Sequence, residues 1–149
     1  MVEQANNDDN ASDIKKLLPH REPFLFVDEI VEAGNEKIIA KHVFSENEFF
    51  FRGHFPEYPV VPGVILIETM AQSGGAGIRK AGIIGGDCLF FLASVDKVKF
   101  RRQVRPGEEV RSEIENLRIT EKMIKQRGAS YVGDELAAEA EWLCLIGEK

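Results

Sequence analysis

The chain has 149 residues, 44% of them hydrophobic, and a formal net charge of −6 at pH 7. That length supports one buried core and not two, with the hydrophobic share of an ordinary globular domain. The acidic balance argues against non-specific nucleic-acid binding, which needs a positive footprint, and no apolar stretch approaches the ~20 residues of a membrane span.

Residues 1–12 are polar and aperiodic, so a disordered tail is expected before a single domain over 13–149. The opening MVEQANNDDNAS has no charged-then-apolar leader pattern, and Cys88 and Cys144 lack metal-type spacing. The expectation is a cytoplasmic protein with two reduced structural thiols and no bound metal. Ser12 or Asp13 can cap a short helix that runs through Leu18 and stops at Pro19. Phe24 to Val31 then predicts a strand, and Gly34-Asn35 a turn, with Lys37 to Phe44 pairing back as a hairpin.

Gly53, Pro56, Pro59, Pro62 and Gly63 fall within eleven residues, which predicts a loop of constrained shape. The best helix candidate follows, Val64 to Arg79, with Pro62-Gly63 at its start and Arg79 and Lys80 suited to its negative end. Four strands are expected after it: Asp87 to Val104, Glu108 to Ile119, Met123 to Val132 and Glu135 to Ile146. One buried helix beside five or six antiparallel strands makes an α+β domain.

The helix carries the most informative residue. Val64, Ile65, Leu66, Ile67, Thr69, Met70 and Ala71 leave no polar face over two turns, and Glu68 sits among them. Burying a lone carboxylate costs several kcal/mol, so Glu68 must be paired, neutral or open to a pocket. A purely structural hydrogen bond is the competing reading. Gln72, one turn on, shares its face and can orient it, though it could equally be an ordinary amide near the helix end.

His54 lies in Gly53-His54-Phe55-Pro56, inside the constrained loop, and an imidazole held there suits proton transfer near neutral pH. His20 and His42 lack such surroundings and are expected to be structural. The Gly63 amide opens the helix, where unpaired N–H groups favour negative charge such as an enolate-like thioester oxygen. A plain turn glycine is the alternative. Lys97, Lys99, Arg101, Arg102 and Arg105 put five cations in nine residues, either a solvated edge or a dock for an acidic partner. The segments Gly74-Gly75-Ala76-Gly77 and Gly85-Gly86 match no nucleotide fingerprint and fit close backbone packing better.

On LLPHREPFLFVDEI (17–30), GHFPEYPVVPGVILIETMAQ (53–72) and the stretch from Phe90 through Pro106-Gly107, the chain resembles the FabZ-type β-hydroxyacyl-(acyl carrier protein) dehydratases of type II fatty-acid synthesis. The resemblance covers about residues 13 to 147 and implies a hot-dog fold, an antiparallel sheet wrapped around a long central helix. Carried over by position, it implies that His54 is the catalytic base, Glu68 the catalytic acid and Gly63 N–H the thioester contact. Related isomerising dehydratases carry Asp where Glu68 stands, which favours the FabZ-type branch. Glu22 departs from the family, which often has an aromatic there, and that change can alter a subunit surface. The resemblance further implies no cofactor, and a 3-hydroxyacyl chain delivered on acyl carrier protein to the basic cluster. It implies homodimers whose active sites take His54 from one subunit and Glu68 from the other, gathered as a trimer of dimers. A hot-dog thioesterase and a non-catalytic acyl-binding protein are the rival readings.

Overall fold

A computed structural model describes residues 13–148, so the expected tail over 1–12, with Ser12, lies outside the described residues. Residues 13–17 are helical (α1) and Leu18 follows directly, its N–H donating to Ile14 O at 2.9 Å. The Arg21 guanidinium then donates to the carbonyls of Leu18 and Lys15, supplying partners for the C-terminal carbonyls of α1 that lack them.

The remaining elements are β1 (Glu29–Ala33), β2 (Lys37–Val43), a 3-10 turn over Phe49–Arg52, the long helix α2 (Gly63–Lys80), β3 (Cys88–Phe100), β4 (Glu109–Ile119), β5 (Met123–Val132) and β6 (Glu135–Glu148). The six strands form one antiparallel sheet in the order β1-β2-β4-β5-β6-β3. The sheet curls around α2, which touches all six strands. This is the α+β arrangement expected of the sequence.

Two predicted strands are shortened, each for a reason visible in the backbone. Residues 24–28 lie outside the ladder: Phe26 N–H and Phe24 C=O are taken by the Gln72 side chain, and Asp28 N–H alone reaches β2, at Lys41 O, before β1 begins at Glu29. The strand expected to reach Val104 ends at Phe100, because the N–H groups of Arg101 and Arg102 both turn to the single carbonyl of Ala137. Helix α2 is one residue longer at each end than predicted, and Ala81 N–H closes its last turn on Gly77 O.

The core lies between α2 and the concave face of the sheet, built from Phe26, Ile38, Phe44, Met70, Ile78, Ile114, Ile124 and Trp142 among others. Phe26, Phe44 and Phe50 pack edge-on or tilted at centroid distances of 6.1–6.2 Å, so part of the phenylalanine excess fills the core. Beneath the helix one buried amide serves three polar partners. Gln126 Oε1 accepts from Trp142 Nε1, and its Nε2 donates to Asn116 Oδ1 and Gly74 O. A Cβ at Gly74 would collide with that pinned amide. Gly74→Ala is therefore expected to cost about 1–3 kcal/mol of stability, as overpacking does. Urea unfolding of parent and variant checks it, with a lower midpoint and an unchanged slope expected.

Candidate active site

The Pro- and Gly-rich loop folds around the backbone of His54. His54 N–H donates to Phe50 O at the end of the 3-10 turn, and Val60 N–H donates to His54 O at 2.9 Å. Phe55 and Tyr58 exchange N–H···O bonds across the loop tip, and Val61 N–H ties its end to Val104 O. The His54 ring stacks on Phe55, and its Nδ1 lies 3.0 Å from Val60 O. A carbonyl oxygen only accepts, so Nδ1 carries the proton and, in the neutral ring, Nε2 is the bare nitrogen. Among the described residues Nε2 has no partner. The loop thus presents the tautomer a general base needs.

Glu68 is positioned from the other direction. Gln72 Oε1 accepts from Phe26 N–H at 2.8 Å, which fixes the amide so that Nε2 faces Phe24 O and Glu68 Oε1, at 3.0 and 3.2 Å. Gln72, one turn on from Glu68, thus donates to its carboxyl. Burial raises the Glu68 pKa, and the Gln72 hydrogen bond only partly opposes it. The side chain keeps 21% exposure, through a cavity of about 230 Å³ lined by Pro19, His20, Gln72, Gly75, Phe90 and Cys144 among others. Burial, and next the Glu68 charge, push the Cys144 thiol up to about 11, which keeps it protonated and inert.

The residues predicted from the sequence divide into two groups. Glu68 and Gln72 share the cavity just described, and His54 is not among its lining residues. Gly63 instead lines a separate open hollow with Val60, Val64, Phe100, Arg101 and Arg102, and it is Val60 that His54 holds. The Phe100 ring covers Gly63 so closely that a Cβ would stand 2.7 Å from it, so any other residue there would have to displace the ring. Among the described residues the Gly63 N–H has no hydrogen-bond partner, as the start of a helix allows. One chain therefore keeps His54 and Gly63 apart from the cavity that holds Glu68 and Gln72.

Two expectations need correction. His20, read as structural, stands in the Glu68 cavity, with Nε2 3.7 Å from Glu68 Oε1. The signal was present in Pro19-His20-Arg21, but nothing in the local sequence tells which helix face that segment covers. The helix expected to be buried all round is open at Val64, which is 70% exposed. The basic cluster is largely paired: Arg102 with Glu108 and Glu135, Arg101 with Glu139, and Lys97 with Glu141. Arg105 stacks on Tyr58, and Lys99 has no side-chain partner among the described residues.

His42 is structural, as expected. It is buried between Asp28 and Glu48, at 2.8 and 3.1 Å. Burial opposes its charge, but the two carboxylates outweigh that cost and raise its pKa to about 9.

No helix among the described residues is long and apolar enough to cross a membrane. Nor do any three His, Cys, Asp or Glu side chains among them gather to hold a metal ion.

A family profile described as a FabA-like domain matches residues 18–141. The chain belongs to the FabA-like family. Among its relatives, the 3-hydroxyacyl-[acyl-carrier-protein] dehydratase FabZ of Pelotomaculum thermopropionicum is 49% identical over 135 residues, spanning 89% of this chain and 95% of the relative. The protein of the same name from Clostridium kluyveri is 42% identical over 144 residues, spanning 95% and 99%. Among solved structures, the dehydratase heterocomplex ApeI:P of Xenorhabdus doucetiae superposes with a TM-score of 0.77 at 17% identity, covering 91% of both chains. A hypothetical thioesterase with coenzyme A from Streptococcus pneumoniae gives 0.59 at 8% identity, covering 81% of this chain and 90% of that one. At such identities the two structures speak for the fold that FabA-like chains share, and for nothing finer.

The His42 cluster gives a pH test of the fold. Its folded pKa of about 9 lies above the unfolded value of 6.5. The stabilisation is therefore complete below pH 6.5 and lost as pH rises through 9. Denaturation midpoints are expected to fall across that window in the parent, and to fall less in His42→Gln.

Proposed function

We propose that this protein removes water from (3R)-3-hydroxyacyl chains carried on acyl carrier protein, yielding trans-2-enoyl thioesters in type II fatty-acid synthesis. One observation supports this most directly. Burial favours the protonated form of Glu68, and Gln72 fixes the carboxyl at an apolar cavity where it can give a proton to a leaving hydroxyl. A thioesterase would need that carboxyl ionised to activate water, which burial disfavours.

In this reading His54 Nε2 takes the α-proton while Gly63 N–H holds the thioester oxygen as it gains charge. The electrons of the broken C–H bond form the C2=C3 double bond. The 3-hydroxyl leaves with the Glu68 proton as water. The products are an imidazolium and a carboxylate, and proton return from His54 to Glu68 restores both for the next cycle.

The two halves belong to one site when two subunits pair, His54 and Gly63 from one and Glu68 from the other. The exposed apolar surface supports this. Edge strand β3 exposes Phe91, Leu92, Val98 and Phe100, each by 36% or more, and Val64 stands open on the helix. Unpaired apolar edges of this kind are covered in stable proteins. Such a dimer works in the cytoplasm, and native mass measurement distinguishes it from a trimer of dimers.

His54→Ala and Glu68→Gln are each expected to lower turnover of a 3-hydroxybutyryl thioester by about 10²–10⁴-fold with the fold intact. Refolded together, the two inactive proteins are expected to recover up to about a quarter of parental activity, since a mixed dimer leaves one site whole. Verified mixed dimers without activity would place both residues in one chain.

Carrier protein is acidic in this reading and docks on the basic cluster, where Arg101 and Arg102 line the hollow beside Gly63. Lys99 and Arg101 are the charges to reverse, because Arg102 is committed to Glu108. Lys99→Glu with Arg101→Glu is expected to raise KM for carrier-borne substrate about fivefold or more, and to leave small thioesters nearly unchanged. Equal losses on both substrates would show the cluster to be structural.

A further inference from the structure

The reaction as written leaves the imidazole of the Glu68 cavity without a part. His20 Nε2 is 3.7 Å from Glu68 Oε1, with side-chain exposures of 29% and 21%. Its other nitrogen, Nδ1, is buried and has no hydrogen-bond partner among the described residues. An orphaned buried N–H is rarer than an orphaned acceptor, so the ring proton belongs on Nε2, facing Glu68. Burial, and next the Arg21 charge, lower the His20 pKa and favour the neutral ring. The titratable and charged groups around this pair are Arg79 from α2, Cys144 from β6 and Arg21 on the segment of His20 itself, while β3 contributes only apolar side chains.

Two N–H groups, Gln72 Nε2 and His20 Nε2, therefore address the same oxygen, Oε1. An oxygen that already accepts from Gln72 and faces a second N–H is a poor place for the acid's own hydrogen. That hydrogen sits on Oε2, the oxygen left to reach the substrate. As the proton leaves, charge grows on Oε1, and the imidazole N–H gains by closing the remaining gap to hydrogen-bond length. A contact that strengthens only as charge develops lowers the barrier rather than the ground state.

We propose that His20 is a positioning residue for Glu68, donating from Nε2 to Oε1 as the carboxyl releases its proton and keeping the acidic hydrogen on Oε2. This rests on the dehydratase reading of the same site.

The experiment compares the parent with His20→Leu, which removes the donor, and His20→Gln, which retains an N–H. In His20→Leu, kcat is expected to fall about tenfold, with KM within about twofold. The alkaline limb of its kcat–pH profile moves up, because the Glu68 carboxylate has lost a donor. His20→Gln returns both toward the parent. A second readout needs no turnover: infrared titration of the Glu68 carboxyl, assigned with Glu68→Gln, is expected to show a higher midpoint in His20→Leu and recovery in His20→Gln. An unmoved midpoint in folded His20→Leu, or the same shift in both variants, overturns the proposal. A parent that fails to dehydrate 3-hydroxybutyryl thioester overturns the reaction assignment instead, and the infrared midpoints still decide whether His20 acts on Glu68.

Discussion

Helix α2 has apolar residues on every side through its first turns, and a single curled sheet can cover only part of it. The rest of the structure follows from that constraint. The sheet wraps the helix, the chain over 24–27 is drawn out of the sheet to cover another flank, and Gln72 anchors that cover by taking Phe26 N–H and Phe24 C=O. The cover is incomplete where Glu68 stands, which leaves a cavity, and where Val64 stands, which leaves an apolar opening. The cavity is where the proposed acid stands, and the opening is where a partner is proposed to seat.

The proposed acid and the proposed base are prepared by different physical means. Glu68 is prepared by desolvation, because an apolar helix makes its charged form expensive and so favours a transferable proton. His54 is prepared by a backbone hydrogen bond, because a carbonyl on Nδ1 fixes where the ring proton sits and leaves Nε2 bare. The two devices need incompatible surroundings, one dry and one threaded through loop carbonyls. Their placement on separate elements, one on the loop after the 3-10 turn and one on helix α2, resolves that conflict.

The Gln126 amide shows the same economy in the core. It serves Trp142, Asn116 and Gly74 at once, and so satisfies buried polar groups on two strands and the helix. The paired charges outside are looser. Arg102 with Glu108 fixes a turn, while Lys99 has no side-chain partner among the described residues.

What the sequence determined by itself was local and periodic. The apolar run around Glu68 dictated a helix and a raised carboxyl pKa, the alternation after Gly107 dictated strands, and three prolines between His54 and Gly63 dictated a shaped loop. Those signals are legible because each depends on neighbours within one or two turns. The tertiary structure decided what depends on distant partners. Phe24 and Phe26 read as strand residues yet pair with a helix side chain 46–48 residues away. His20 read as structural yet meets Glu68, and five cations read as one patch yet mostly meet acids brought opposite by the β3–β6 register and the β3–β4 turn. Side-chain chemistry was written in the sequence, but which group each side chain faces was set only when the sheet closed around the helix.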